Sequence, residues 1–170
     1  IEERLYLCGD YYRAPAVYIK PDLEIEWEVL PHRLQAENEC KVYNILRDYL
    51  GSITHIYDGD TLLQELSYDA WGRLRNPETQ QVYNSGEEPE LLLGRGYCGH
   101  EHLTDFGLIN MNARLYDPVL GRFLSPDPNI QNPDWSQNYN RFTYVMNNPL
   151  RYVDENGEFF WVAVGVAAVV

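Results

Sequence analysis

Between Asn110 and Gly157 the chain is broken repeatedly by residues that stop regular structure. Asp117-Pro118, Asp127-Pro128 and Asn148-Pro149 separate short aromatic segments, and the stretch ends on Asp154-Glu155-Asn156-Gly157. Proline fixes φ and lacks a backbone donor, while Asp and Asn open turns through their side chains. A segment punctuated this way cannot build long helices. It predicts short strands joined by tight turns, an all-β or β-dominated domain of antiparallel hairpins.

The rest of the chain agrees. Fourteen Tyr, four Trp, ten Pro and twelve Gly among 170 residues favour many short strands over a few helices, and 45% hydrophobic content is enough for one buried core. Leu23, Ile25, Trp27 and Val29 alternate with Glu24, Glu26 and Glu28 between Pro21 and Pro31, the period of a half-buried strand. Ile53 to Tyr57 reads as a strand, Asp58-Gly59 as a hairpin turn, and Thr61 to Tyr68 as the partner. Loops are expected from Asn76 to Pro89 and from Asn129 to Gln137, with Leu91-Leu92-Leu93 restarting buried structure.

Charge narrows the partners. Thirteen Lys and Arg face 26 Asp and Glu, a formal charge of −13. Such a surface does not neutralise phosphates, so no nucleic-acid interface is expected. Cys8, Cys40 and Cys98 are odd in number and form no Cys-x-x-Cys pair, which predicts at least one free, buried thiol and neither a disulfide framework nor a zinc knuckle. No signal peptide is visible at Ile1. The apolar run over 159–170 is twelve residues long, short of the roughly 20 that span a bilayer. It is read as continuing into further sequence, either as the start of a membrane-active tip or as a strand or helix covered by that sequence. The chain is accordingly expected to be a piece of something longer at both ends.

Two segments repeat. Tyr68-Asp69-Ala70-Trp71-Gly72-Arg73-Leu74 and Tyr116-Asp117-Pro118-Val119-Leu120-Gly121-Arg122-Phe123 share Tyr-Asp, a short turn, and Gly-Arg followed by an apolar residue. Asp would open each turn, Gly would take a φ that other residues resist, and the flanking aromatic and apolar residues would pack on one face. With Tyr139-Asn140-Arg141-Phe142-Thr143-Tyr144-Val145-Met146-Asn147-Asn148-Pro149, these motifs closely resemble the RHS repeat-associated core domain, the C-terminal end of bacterial RHS/YD-repeat shells that precedes a variable toxin tip. The resemblance implies a core domain over 1–158, with leading strands over 5–65 and the core proper over 66–158, and the start of a variable segment over 159–170. It further implies a secreted or cell-surface bacterial protein. Its partners would be upstream shell repeats and a downstream toxin of the same polypeptide, with an immunity protein or secretion machinery beyond. Membrane contact would come only through the apolar segment.

In that family and the related C components of Tc toxins, two Asp residues form an aspartyl self-protease that frees the tip, supported by an upstream Arg. The matching positions are Asp127, Asp154 and Arg114, and the resemblance places the cut near Glu158-Phe159, just before the apolar run. Two close carboxylates do not both ionise readily, so one can serve as acid while the other activates water, with a guanidinium holding charge beside them. The first element, Asp127-Pro128-Asn129-Ile130, lacks the family's Gly; the second, with Glu155, lacks its Pro, and Glu158 stands where the family has Leu. Alternation of Ile109, Met111, Ala113 and Leu115 with Asn110, Asn112 and Arg114 predicts one strand with Arg114 on its polar face. Read on their own residues, Asp127 and Asp154 serve equally well as turn formers, which leaves a non-catalytic plug as the alternative.

Two other features carry weaker signals. His100-Glu101-His102 would place both imidazoles on one face of a strand, but without a third ligand they read as structural, and no metal or cofactor is assigned. The aromatics, including Tyr11, Tyr12, Tyr139, Tyr144 and Tyr152 with Trp27, Trp71, Trp135 and Trp161, are either cross-strand core pairs or a surface for glycan or unfolded peptide, as an adhesin would use.

Overall fold

In the computed structural model, the structure describes 3–7, 16–20, 41–84, 86–128, 130, 134, 136–158 and 160–162. The expected strand from Leu23 to Val29, along with Cys8, Cys40, Tyr11, Tyr12, Trp135, Phe159 and the apolar run beyond Val162, lies outside the described residues. Thirteen short strands are described, and helical structure among these residues is confined to 3-10 turns of three or four residues. The fold is β-dominated, as the turn-rich sequence predicts. No helix among the described residues is long and apolar enough to cross a membrane.

The first sheet is an antiparallel meander of β1 (Glu3–Leu7), β2 (Ala16–Lys20), β3 (Lys41–Arg47), β4 (Ile53–Asp58) and β5 (Thr61–Glu65). The β4–β5 hairpin closes at Asp58-Gly59 as predicted, Asp58 opposite Thr61 and Gly59 at φ +57°. Ile53 and Ile56 of β4 are fully buried, so this strand forms the floor of the core.

Each YD segment is a miniature hairpin. β6 (Ser67–Tyr68) pairs with β7 (Leu74–Arg75), and β10 (Leu115–Asp117) pairs with β11 (Arg122–Phe123). Asp69 Oδ1 accepts from the Trp71 and Arg73 amides at 2.9 Å each, and Asp117 Oδ1 accepts from Val119 and Leu120 at 2.8 and 3.0 Å. Side-chain carboxylates therefore substitute for the backbone acceptors a longer turn would supply. Gly72 at φ +91° could not carry a side chain anyway, because a Cβ there would lie 2.8 Å from the Tyr97 ring.

The two hairpins interlock through the first turn. Tyr97 Oη donates to the Ala70 carbonyl and Tyr116 Oη to the Trp71 carbonyl, both at 2.9 Å, while Trp71 lies over Gly121. Tyr116, Tyr144 and Phe123 pack at centroid separations of 4.7 to 5.8 Å, and Tyr97 joins at 6.3 Å from Tyr144. Offset and edge contacts at these spacings are favourable arrangements for aromatic rings. Of the aromatics singled out in the sequence, Tyr144 is therefore core, Trp71 and Tyr152 pack partly buried against it, and Tyr139 is exposed.

β8 (Glu101–Leu103), β9 (Leu108–Asn110), β10 and β11 make the second sheet. Here one expectation fails. Ile109 to Leu115 is not one strand: β9 ends at Asn110 and β10 begins at Leu115, with a bend between them in which Asn112 takes φ +65°. The Met111 amide donates to the Arg114 carbonyl at 3.1 Å, and the Ala113 amide donates outward to the Asn156 carbonyl at 3.1 Å. The bend cancels the two-residue alternation. Arg114 is buried instead of facing solvent, and Leu115 is exposed. Leu91 and Leu93 are buried as expected, although Leu92 between them is exposed. Finally, β12 (Tyr152–Asp154) pairs with β13 (Phe160–Val162) in a two-stranded hairpin that sets Asp154 opposite Phe160.

Candidate active site

The bend before β10, the segment after β11 and the end of β12 meet at one buried point. Arg114 arrives from the bend, Asp127 follows the Ser125-Pro126 break, and Asp154 is the last residue of β12. Arg114 Nη2 lies 3.2 Å from Asp127 Oδ2 and 3.3 Å from Asp154 Oδ2. The three residues retain only 5%, 8% and 2% of their exposure, so these charges interact with little screening by water. Nothing in their sequence separation predicts this junction, since Asp127 and Asp154 are 27 positions apart.

Arg114 is engaged on every side. Nε donates to the Gly157 carbonyl, Nη1 to the Arg141 carbonyl at 3.3 Å, and the guanidinium carbon sits 3.6 Å over the Phe123 ring. Burial pushes its pKa down, and Asp127, Asp154 and Glu158 oppose that shift through their charge. A guanidinium paired with two carboxylates keeps its proton, because removing it would leave the acids uncompensated.

Asp154 is held at both carboxylate oxygens and at its backbone. Oδ2 faces Arg114, Oδ1 accepts from the Gly157 amide at 2.8 Å, and its carbonyl lies 2.8 Å from His100 Nε2. Gly157 takes φ +74°, and a Cβ there would lie 2.2 Å from the Met111 carbonyl oxygen. The turn over 155–158 is thus pressed against the bend that carries Arg114, with Asn112 Nδ2 donating to the Glu155 carbonyl at 3.3 Å.

Asp127 is placed by Arg141. Its amide donates to the Arg141 carbonyl at 2.8 Å, and Arg141 Nε donates back to the Asp127 carbonyl at 2.5 Å. Both carboxylates line a cavity of about 30 Å³ with Asn138, Asn140, Arg141 and Thr143, room enough for water.

Of the residues singled out in the sequence, Arg114, Asp127 and Asp154 share one junction, and Glu158 lies one residue beyond the gripped Gly157 carbonyl. Phe159 is outside the described residues. Arg141, Phe123 and His100 also belong to the site. The Tyr139 to Pro149 stretch singled out Arg141 as motif, yet only the fold reveals which backbone it clamps. His100 and His102 are not a pair on one strand face: β8 starts at Glu101, His100 reaches Asp154, and His102 Nε2 accepts from the Tyr97 amide at 3.0 Å. Each histidine serves the backbone. Cys98 is a free, buried thiol 3.7 Å from Tyr144 Oη, and burial pushes its pKa up to about 12, which keeps it protonated.

Known proteins carry the same arrangement of strands. Residues 30–150 match the family model of the teneurin YD-shell. Salivary gland surface protein 1 of Aedes aegypti is 30% identical over 118 residues, covering 69% of this chain and 3% of that protein. The tRNA(Glu)-specific nuclease WapA of Bacillus subtilis subsp. natto is 33% identical over 103 residues, covering 61% of this chain and 4% of the nuclease. The chain thus spans only a few per cent of the length of the curated relatives it matches. Among solved structures, TcdB2-TccC3-TEV superposes with a TM-score of 0.59 at 23% identity, over 88% of this chain and 6% of that one. The Photorhabdus luminescens Tc holotoxin pore gives a TM-score of 0.56 at 21% identity, over 89% and 6%. At these identities the likeness to the solved structures is one of fold. The chain belongs to the teneurin YD-shell family and is an RHS/YD-repeat domain that shares its fold with Tc toxin components.

Proposed function

We propose that this domain closes one end of a YD shell and cuts its own chain between Glu158 and Phe159, freeing the segment that follows. The observation that carries this reading is the single guanidinium nitrogen of Arg114 lying between two buried carboxylates beside a water-sized cavity. Asp154, with acceptor contacts at both oxygens, is the ionised partner that Arg114 and the Gly157 amide favour. Asp127 serves as the acid of the pair.

The step proceeds by hydrolysis. Asp154 accepts a proton from a water molecule as its oxygen bonds to the Glu158 carbonyl carbon, and Asp127 gives its proton to the departing Phe159 nitrogen. The peptide bond breaks to leave a carboxyl group on Glu158 and a free amine on Phe159. Arg114 keeps both acids in place and, through the Gly157 carbonyl, fixes the chain one residue before the cut.

Residues 1–158 would then be the retained core and 159–170 the beginning of the freed segment. The names of the relatives, nucleases and toxin components many times longer than this chain, support upstream shell repeats and a downstream effector in the same polypeptide, working outside the producing cell. A second reading, a plug in which the same contacts merely lock the turn over 155–158, is favoured by the Asp154 to Gly157 hydrogen bond.

Intact mass of the full-length protein separates the two. Wild type is expected as two fragments with a new amino terminus at Phe159, and Asp127→Asn and Asp154→Asn as single chains. A folded wild type that stays whole establishes the plug.

A further inference from the structure

His100 lies outside the carboxylate pair, yet it is fully buried and reaches the backbone of one of them. Burial pushes its pKa down to about 4, so the ring is neutral and carries one proton. A carbonyl oxygen can only accept, which places that proton on Nε2, donated to the Asp154 carbonyl at 2.8 Å.

The ring is aimed by a tight turn. Cys98 and Gly99 take φ +49° and +77°, the His100 amide donates to the Tyr97 carbonyl at 3.0 Å, and the Gly96 amide donates to the His100 carbonyl at 2.9 Å. The buried Ser52 hydroxyl accepts from the Cys98 amide at 3.1 Å, anchoring this turn to the start of β4. Arg95 adds a clamp from Nη1 to the Gly99 carbonyl at 3.1 Å. The first sheet therefore fixes the imidazole, and the imidazole fixes the end of β12.

We infer that His100 is a positioning residue for Asp154, a neutral hydrogen-bond donor that holds the β12 backbone so that the carboxylate meets Arg114. The inference rests on the self-cleavage reading, since its effect is felt only if Asp154 does chemistry. A loosened carbonyl lets Asp154 rotate away from Asp127 without unfolding the aromatic core, and misplacements of this size cost catalysis far more than stability.

The test uses the full-length chain with His100→Gln, whose amide can donate from a similar position, and His100→Met, which fills similar volume without a donor. Fragment appearance after synthesis is followed alongside thermal unfolding, with wild type and Asp127→Asn as references. His100→Met is expected to fold and to cut about tenfold or more slowly, while His100→Gln stays within about threefold of wild type. A folded His100→Met that cuts at the wild-type rate overturns the inference alone, as does equal slowing of both variants. If His100→Met fails to fold, His100→Gln decides: cutting near the wild-type rate supports donation, and a folded but uncut chain overturns it. A wild type as uncut as Asp127→Asn sinks the self-cleavage reading, and the positioning role with it.

Discussion

Arg114 is the residue on which the site turns, and its geometry explains why lysine would not replace it. A planar fork satisfies Asp127, Asp154, Gly157 and Arg141 from three nitrogens while its face rests on Phe123. An ammonium offers a point charge and no second plane. Arg114→Met leaves the buried Asp154 carboxylate without its cation, a loss expected at about 3–5 kcal/mol and read from the denaturant midpoint at neutral pH. Because an uncompensated buried charge is the cause, that loss should shrink with an added Asp154→Asn substitution; an unchanged penalty in the double variant would point to packing on Phe123 instead. Sequence offered only half of this residue. Its chemistry follows from the resemblance, but its burial does not, since the apolar alternation around it reads as a strand until Asn112 enters the left-handed region.

At the scale of the element, the YD hairpins show what local chemistry can specify. Tyr-Asp, Gly and Arg appear in order, and the structure puts each in the role those residue types suggest: carboxylate to amides, glycine at positive φ, aromatic into the core. Turn positions were legible because the contacts that make them lie within four residues. The interlock of Tyr97 and Tyr116 with the Ala70 and Trp71 carbonyls was not, because it joins residues 27 and 45 positions apart. Tyr116→Phe would remove the donor to the part-buried Trp71 carbonyl and should cost about 0.5–1.5 kcal/mol by chemical denaturation. The turn over 155–158 is less forgiving. Gly157→Ala forces a Cβ onto the Met111 carbonyl oxygen at an already left-handed φ. A loss of at least about 1–3 kcal/mol, measured the same way, is expected, together with loss of cutting.

Across the whole molecule, acid should act through two histidines, the fully buried His100 and the half-buried His102. Burial pushes His100 down to about 4 and His102 to about 3, from an ordinary value of 6.5. The unfolded chain therefore takes up protons first as pH falls below 6.5. Stability present above that value is lost progressively toward pH 4 and then 3. Unfolding midpoints taken across this range should fall steadily, and His100→Gln should flatten the upper part of the slope. A midpoint indifferent to pH between 6.5 and 4 would mean that water reaches these rings. The hairpin of β12 and β13 carries a different kind of consequence. The proposed cut falls in its turn, so opening the Glu158–Phe159 bond would nick the hairpin without separating its strands, and the Tyr152–Val162, Val153–Trp161 and Asp154–Phe160 pairings would still hold the new end. Severing and letting go then become separate events, the first chemical and the second mechanical. A cargo cut at this point would stay moored by a short ladder of backbone hydrogen bonds, which on its own is only marginally stable in water and which a modest pull along the chain would unzip.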